Sequence, residues 1–236
     1  FLADIDQFDP ALFRMTLAEA QKTDPQLRVL LRTAWQAFED SAYTLDAVES
    51  QRVGVYVGAM KEDFTWIMSD LHSRTGEYMG PGSFSSDLAN RISFLMNFRG
   101  PSLTVATACS SSLTAVHLAR RAILDNECDV ALAGAVNLSL HPSKYLMLKD
   151  MKVLSSDGHE RTFDEAANGL VPSEGVGVIV LKRLNQALQD GDYPGAIRQL
   201  QALHASPESP ALAEEFLRRF ADEQGKPIRG LGEGAI

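Results

Sequence analysis

Cysteine is scarce in this chain. Two occur in 236 residues, Cys109 and Cys128, and neither forms a CxxC pair or stands beside histidines at metal-ligand spacing. That pattern argues against a disulfide framework and a zinc site, and it points to a reducing, cytoplasmic compartment. Long apolar runs are missing too: no stretch approaches the roughly 20 residues that a membrane-spanning helix needs. The opening FLADIDQFDP has neither a basic n-region nor an apolar h-region, so no secretory signal is expected there. Lysine and arginine never gather into a block, and the formal net charge is −9, which argues against a general nucleic-acid binder.

What is present is enough to build a core. Hydrophobic residues make up 45% of the chain, and their spacing separates helices from strands. Asp24 and Pro25 open a helix expected over residues 24–41, with Leu27, Leu30, Leu31, Ala34, Trp35 and Phe38 on one stripe. Val53–Gly58 reads as a short buried strand. Residues 63–82 are mixed and end in a Gly80-Pro81-Gly82 turn, and Ser86–Phe98 reads as a helix. Three apolar strands are predicted over Ser102–Ala108, Asp129–Val136 and Gly175–Leu184, with one helix, Ser110–Leu124, between the first two. Strand, helix and strand at this spacing make a βαβ unit in a helix-covered parallel sheet. Asp157-Gly158 opens a long polar loop that runs to Ser173. Beyond Gly191 the character changes: residues 204–210 read as a linker, 212–220 as an amphipathic helix and the glycine-rich end as loose chain. Gly230, Gly232 and Gly234 lack the strand and helix that a nucleotide fingerprint requires.

The functional question centres on TVATACSSSLTAVHLARRAIL, where a strand-like run meets a helical one at Cys109. A free cysteine is most often a buried structural residue, which is the reading for Cys128. At a helix start, however, unpaired N–H groups and the positive dipole end favour a thiolate and hence a nucleophile. The same amides would stabilise an oxyanion formed on an acyl group at the sulfur. Ala106, Thr107 and Ala108 are small enough for a sharp turn, and sites of α/β folds gather at the carboxyl ends of parallel strands. Both readings stand on these grounds alone.

The segment T-A-C-S-S-S-L-T-A-V-H-L-A closely resembles the active-site segment of polyketide-type β-ketoacyl synthases, condensing enzymes of the thiolase fold. Other matches fall in family order. Among them are Asp24-Pro25-Gln26, Gly54-Val55-Tyr56-Val57-Gly58, Ala89-Asn90-Arg91-Ile92-Ser93, Leu132-Ala133-Gly134-Ala135-Val136, Thr162-Phe163-Asp164 and Glu174-Gly175-Val176-Gly177. The resemblance covers residues 1–193, a ketosynthase N-terminal-half region that lacks the family's opening strand. Residues 194–236 are left as a divergent tail. It implies a partial thiolase-like α/β fold: an N-terminal βαβαβ half whose helices cover a mixed, mostly parallel sheet.

By the same resemblance, Cys109 accepts an acyl chain carried on the phosphopantetheine of an acyl carrier protein, and its own N–H is one oxyanion donor. No bound cofactor, metal, nucleic acid or membrane is implied. The segment Leu95–Ala108 is placed at the two-fold axis of a homodimer. His141-Pro142-Ser143-Lys144-Tyr145 looks most like bacterial modular synthases served by separate acyltransferases.

The family's two catalytic histidines and its lysine lie in a second half that this chain does not match. His72, His117, His141, His159 and His204 fall at no catalytic family position. Ala106 stands where the family commonly has Asp, Asn168 replaces the Asp of A-D-G, and Ser173 replaces the first Gly of G-E-G. Three readings therefore stay open. The chain is part of a condensing ketosynthase completed by a second half or the rest of a modular synthase, a non-condensing dimerisation or carrier-docking module, or a cysteine-dependent acyl hydrolase.

Overall fold

Helix formation at 24–41 follows from its ends and its stripe. In the computed structural model, which describes residues 1–41, 43, 48, 51–60, 63–76 and 84–190, this helix is α2 (Pro25–Asp40). It follows a single capped turn, α1 (Leu17–Gln21), whose Thr16 hydroxyl accepts from Glu19 N at 3.1 Å. The Asp24 carboxylate accepts from Gln26 N at 2.8 Å, and Pro25 occupies the first turn, where its missing N–H costs nothing. At the far end the Ser41 hydroxyl donates to Phe38 O at 2.7 Å. Leu27, Leu30, Leu31 and Ala34 are wholly buried. Each such leucine contributes about 1.5–3 kcal/mol through its burial.

These side chains meet the sheet. Strands β1 (Val53–Gly58), β2 (Ser102–Val105), β3 (Val130–Asn137) and β4 (Gly175–Lys182) form one sheet in the order β2-β1-β3-β4. β1 runs parallel to β2 and β3, and β4 runs antiparallel to β3. The sheet is thus mixed and mostly parallel, as expected. Val53, Val55, Val57, Val130, Leu132 and Val136 join α2 and α4 (Ser86–Leu95) in the larger core. Tyr56, Ala131 and Ala133 face the other way, onto Ala115, Ala119 and Ala122 of α5 (Ser111–Leu124). Both faces of β1 and β3 are covered, which explains their unbroken apolar runs. Small residues on both sides of the α5 contact let helix and sheet approach closely.

At the entry to β1 and β3, Arg52 clamps Asp129. Arg52 N donates to the carboxylate at 2.8 Å, a guanidinium nitrogen donates at 3.1 Å, and Asp129 N returns to Arg52 O at 2.8 Å. Two further helices, α3 (Asp63–Thr75) and α6 (Ser143–Asp150), complete this unit. The stretch 63–75 is one continuous helix, more regular than its mixed pattern suggested. The turn expected at Gly80–Gly82 lies outside the described residues.

Three predicted boundaries shift by more than one residue. The helix expected to reach Phe98 ends at Leu95, where Asn97 adopts φ 55°. β2 ends at Val105 rather than Ala108, because the chain turns there. β4 stops at Lys182. By contacts the chain divides into Phe1–Lys182 and Arg183–Ile236, and the described part of the second unit holds one helix, α7 (Leu184–Gln189). The tail expected over 194–236 lies outside the described residues. Among them, no helix is long and apolar enough to cross a membrane.

The start of α2 is also a buried polar junction. Gln26 is 2% exposed, and its side-chain oxygen accepts from Leu138 N, tying α2 to the chain that leaves β3. Burial pushes the Asp24 carboxyl up to about 6, against the lowering pull of the Gln26 hydrogen bonds and Arg28, with Asp63 adding to the rise. The folded chain therefore holds this proton more tightly than the unfolded one, so Asp24 contributes stability below about pH 4 that is lost as pH rises to about 6. Asp24→Asn keeps the capping oxygen and removes the charge. Its stability relative to the wild type should rise by about 2–3 kcal/mol between pH 4 and pH 7 in urea unfolding. A difference that stays constant with pH would contradict this account.

Candidate functional site

The turn between β2 and α5 is knitted by hydroxyls. Thr107 N donates to Ser111 Oγ at 2.9 Å, Ser111 Oγ donates to Ala108 O at 2.6 Å, and Ser110 Oγ donates to Thr107 O at 2.7 Å. Thr107 and Thr114 hydroxyls meet at 2.9 Å. These bonds hold Ala108 at φ 55°, a left-handed conformation that costs a non-glycine residue on the order of 1–2 kcal/mol. Cys109 follows it, exposed, one residue before the helix cap Ser110. The serines are thus the scaffold of the turn.

Two amides counted as free donors in the sequence are not. Ser110 N donates to Thr107 O at 3.4 Å and Ser111 N to Ala108 O at 3.1 Å. Both are spent inside the turn, because a chain reversing this tightly brings its own carbonyls within reach.

What seats the turn is an absence on the neighbouring strand. Gly58 ends β1, and a Cβ there would lie 2.6 Å from the backbone carbon of Ser111 and 2.8 Å from Ser112 N. Backbone cannot give way as a side-chain tip does, so any other residue would push α5, and Cys109 with it, off the sheet. The two cysteines then differ sharply. Cys128 is 1% exposed within the α5 core, and burial pushes its thiol up, whereas Cys109 opens to solvent.

Cys109 lines a cavity of about 650 Å³ on the α5 side of the sheet. Register builds its floor: Gly58 pairs with Val105 and with Ala135, and Ala135 pairs with Gly177, so β1 and β2 end level with the last residues of β3 and the first residues of β4, in one row beside the thiol. This row closes the carboxyl ends of the parallel strands, where a site was expected. Gly134 is needed there, since its Cβ would meet Gly177 O at 2.5 Å. Gly177 is not crowded, and its Cβ would meet nothing within 4 Å.

One end of the cavity is polar. Lys144, on α6, is 5% exposed, and its Nζ donates to Asn137 Oδ1 at 3.2 Å and to Ser139 Oγ at 2.9 Å. Asn137 in turn donates to Ser173 O at 2.7 Å. Glu174 fastens the same corner by accepting from Ser139 N at 2.8 Å and Leu2 N at 2.7 Å. Sequence reading placed Lys144 only in a subtype signature. An isolated lysine between Ser143 and Tyr145 carries no pattern that signals burial.

A loop that closes on itself supplies another wall. Ser155 N donates to Leu170 O at 2.9 Å and Leu170 N to Val153 O at 2.8 Å. Asp157 accepts from both outer nitrogens of Arg161 at 3.0 and 2.8 Å, and also from the Ser155 hydroxyl and His159 N. Arg161 above all holds its carboxyl well below the usual range. Gly169, at φ 140°, passes so close to Leu154 that a Cβ would sit 2.5 Å from its carbonyl carbon.

The substituted positions fit this framework. Asn168 Oδ1 lies 2.8 Å from Ser155 Oγ, where it shares the single hydroxyl proton with Asp157, and the Asn168 amide donates to Ser156 Oγ at 3.0 Å, a bond that no carboxylate can give. Ser173 uses its carbonyl, which any residue supplies. Ala106 is exposed at the turn. Among the described residues no histidine lines the cavity. His117 is exposed on α5, His141 packs edge-on to Trp66, and the His159 ring meets Asp157 O at 3.0 Å. His204 lies outside the described residues. Nor do the described residues contain a cluster of three His, Cys, Asp or Glu able to hold a metal.

Comparison with known proteins agrees with this architecture. Residues 1–187 match the family described as the β-ketoacyl synthase N-terminal domain. The polyketide synthase PksL of Bacillus subtilis (strain 168) is 48% identical over 200 residues, which are 81% of this chain and 4% of that protein. The 6-methylsalicylic acid synthase of Penicillium terrestre is 41% identical over 197 residues, 84% of this chain and 11% of the relative. Among solved structures, the oxazolomycin ketosynthase domain of Streptomyces albus JA3453 aligns with a TM-score of 0.78 at 44% identity, over 81% of this chain and 33% of that one. The ketosynthase from module 6 of the Bacillus subtilis 168 bacillaene synthase aligns with a TM-score of 0.74 at 39% identity, over 80% and 32% of the two chains. This chain therefore spans about a third of those ketosynthase chains and a small fraction of the full synthases.

The contrast between the thiols is directly measurable. Mild iodoacetamide treatment followed by peptide mass mapping should label Cys109 predominantly, since Cys128 is reached only on unfolding. Dominant modification of Cys128 would mean that the α5 core is open in solution.

Proposed function

The chain belongs to the β-ketoacyl synthase family, over its N-terminal domain, and from that premise we propose that Cys109 is the acyl-accepting nucleophile of a polyketide-synthase ketosynthase. The observation that carries this reading is the exposed thiol on a strained, hydroxyl-braced turn at the mouth of the cavity. In the proposed reaction the Cys109 thiolate adds to the carbonyl carbon of a phosphopantetheine thioester on an acyl carrier protein. The resulting oxyanion is stabilised by the Cys109 N–H, the pantetheine thiolate leaves, and the acyl group stays on the sulfur. In the complete synthase a malonyl thioester then loses carbon dioxide. The enolate attacks the acyl-cysteine carbonyl, releasing a β-ketoacyl carrier and the free thiolate.

The second stage needs groups that the described residues do not bring to the cavity. Decarboxylation and condensation draw on acid–base and electrostatic help, each typically worth a factor of about 10² or more. The proposed division of labour assigns acyl acceptance to this region and assigns the remaining groups to a further ketosynthase segment or to the rest of a modular synthase. Incubation of the purified chain with an acyl carrier protein thioester should add the acyl mass to Cys109, and Cys109→Ala should abolish the adduct. Carbon dioxide and extended product should stay near background when malonyl carrier protein is added. Rapid condensation by the chain alone would refute this division, and failure to acylate Cys109 would refute the nucleophile assignment.

The proposed partner along β2 is a second copy of the chain. β2 is an outer strand of the sheet, and such an edge presents unpaired backbone groups to which another strand can add. Sedimentation at micromolar concentration should show a dimer, and Thr104→Pro, which removes a backbone donor from this edge, should shift it towards monomer. A purely monomeric wild type would count against pairing at β2.

A further inference from the structure

The chemistry at Cys109 leaves one feature of its cavity without a task. The walls are short and apolar at Gly58, which ends β1, at Ala133 and Ala135 within β3, and at Gly177 near the start of β4. Against them stands a lysine that is 95% withdrawn from solvent by the 5% exposure of its residue, together with Asn137 and Ser173, all three on the cavity lining. Burying an ammonium carries a desolvation penalty of several kcal/mol that an apolar side chain would avoid. If the corner served only to tie α6 to β3, a neutral side chain would do so without that penalty.

The geometry of the corner favours a ligand oxygen. Lys144 is held by Asn137 Oδ1 and Ser139 Oγ, so its positive charge is fixed beside the cavity, not free to swing into solvent. The Asn137 amide is oriented in turn by its bond to Ser173 O. A fixed cation at an apolar wall attracts the partial negative charge of a hydroxyl or carbonyl oxygen and gives nothing to a methylene. Beside it, Gly177 leaves room that steric crowding does not require, and a glycine within a strand weakens that strand. Space and charge are therefore offered together, to a slender chain that carries oxygen.

We infer that the Lys144–Asn137–Ser173 corner makes the cavity selective for acyl chains bearing a hydroxyl or carbonyl oxygen over unsubstituted chains of equal length. The inference rests on the reading of this cavity as an acyl site, though not on the nucleophilicity of Cys109. Pantetheine amides, in which nitrogen replaces the thioester sulfur, test it because they bind without transferring. Isothermal titration of the full chain would compare hexanoyl pantetheine amide with its 3-hydroxy and 5-hydroxy forms.

At least one hydroxylated amide should bind about tenfold more tightly, the scale of a single hydrogen bond to a charged group. Lys144→Met should bring that ratio close to one while leaving the affinity for the unsubstituted amide little changed. A purely structural role would weaken all three amides together. Equal affinities in the wild type, or no binding of any of the three, would overturn the inference without recourse to a variant. So would a ratio that survives in a folded Lys144→Met. Acyl thioester loading, measured in parallel, separates the two readings. Selective amide binding without loading would defeat the nucleophile assignment alone, and loading without selectivity would defeat only this inference.

Discussion

The close passage of α5 over the end of β1 is the constraint on which the rest of the site depends. With no side chain at Gly58, the backbone of Ser111 and Ser112 descends onto the sheet, where a Cβ would stand 2.6 Å from it. That contact sets the height of α5. The height in turn decides where the preceding turn can lie, and hence where the thiol emerges. The alanine-on-alanine packing further along α5 continues the same approach, and the larger side chains of Val116 and Leu118 stay at its margins. A bulkier β1 terminus would leave the sulfur in the same sequence position but in another place.

The opposite face of the sheet carries most of the apolar burial and has a different task. There α2 and α4 fasten β1 and β3 through large aliphatic residues, and Gln26 reaches across to Leu138 N just where β3 hands over to the polar corner. The stability of the unit and the geometry of the cavity are thus joined by one buried amide. β4 adds a third element, antiparallel to β3, and its register with Ala135 and Asn137 lays Gly177 and Gly175 along the cavity side.

Much of this was legible in the sequence. The stripe from Leu27 to Phe38, its Asp24 cap and the apolar runs of β1 and β3 follow from spacing alone, because local propensity and burial agree there. The placement of Cys109 between a strand and a helix was legible too, and the structure adds that its thiol is exposed on a cavity wall. Less visible was whatever depends on the backbone meeting itself. The spent amides of Ser110 and Ser111, the early end of β2 and the closure of Val153 on Leu170 all arise from turns whose angles no periodicity encodes. Lys144 was hidden for another reason: its burial is decided by Asn137 and Ser139, which lie outside its own helix. The mixed pattern of 63–75 concealed a helix because only Asp63, Phe64 and Met68 of it are buried, too few for a clear stripe.

Ala108 leads further. Glycine would adopt its φ of 55° without strain, yet the chain keeps a methyl group there. A glycine would also open many other backbone paths, so the turn before the sulfur would wander among them. Alanine in this conformation is uncomfortable but has few alternatives, and the hydroxyl bonds to its neighbours make the uncomfortable one prevail. The sulfur is thereby confined to a narrow range of positions by the fold itself. For the acyl transfer proposed at this thiol, that confinement would complete during folding much of the orientational search that a bimolecular encounter otherwise requires.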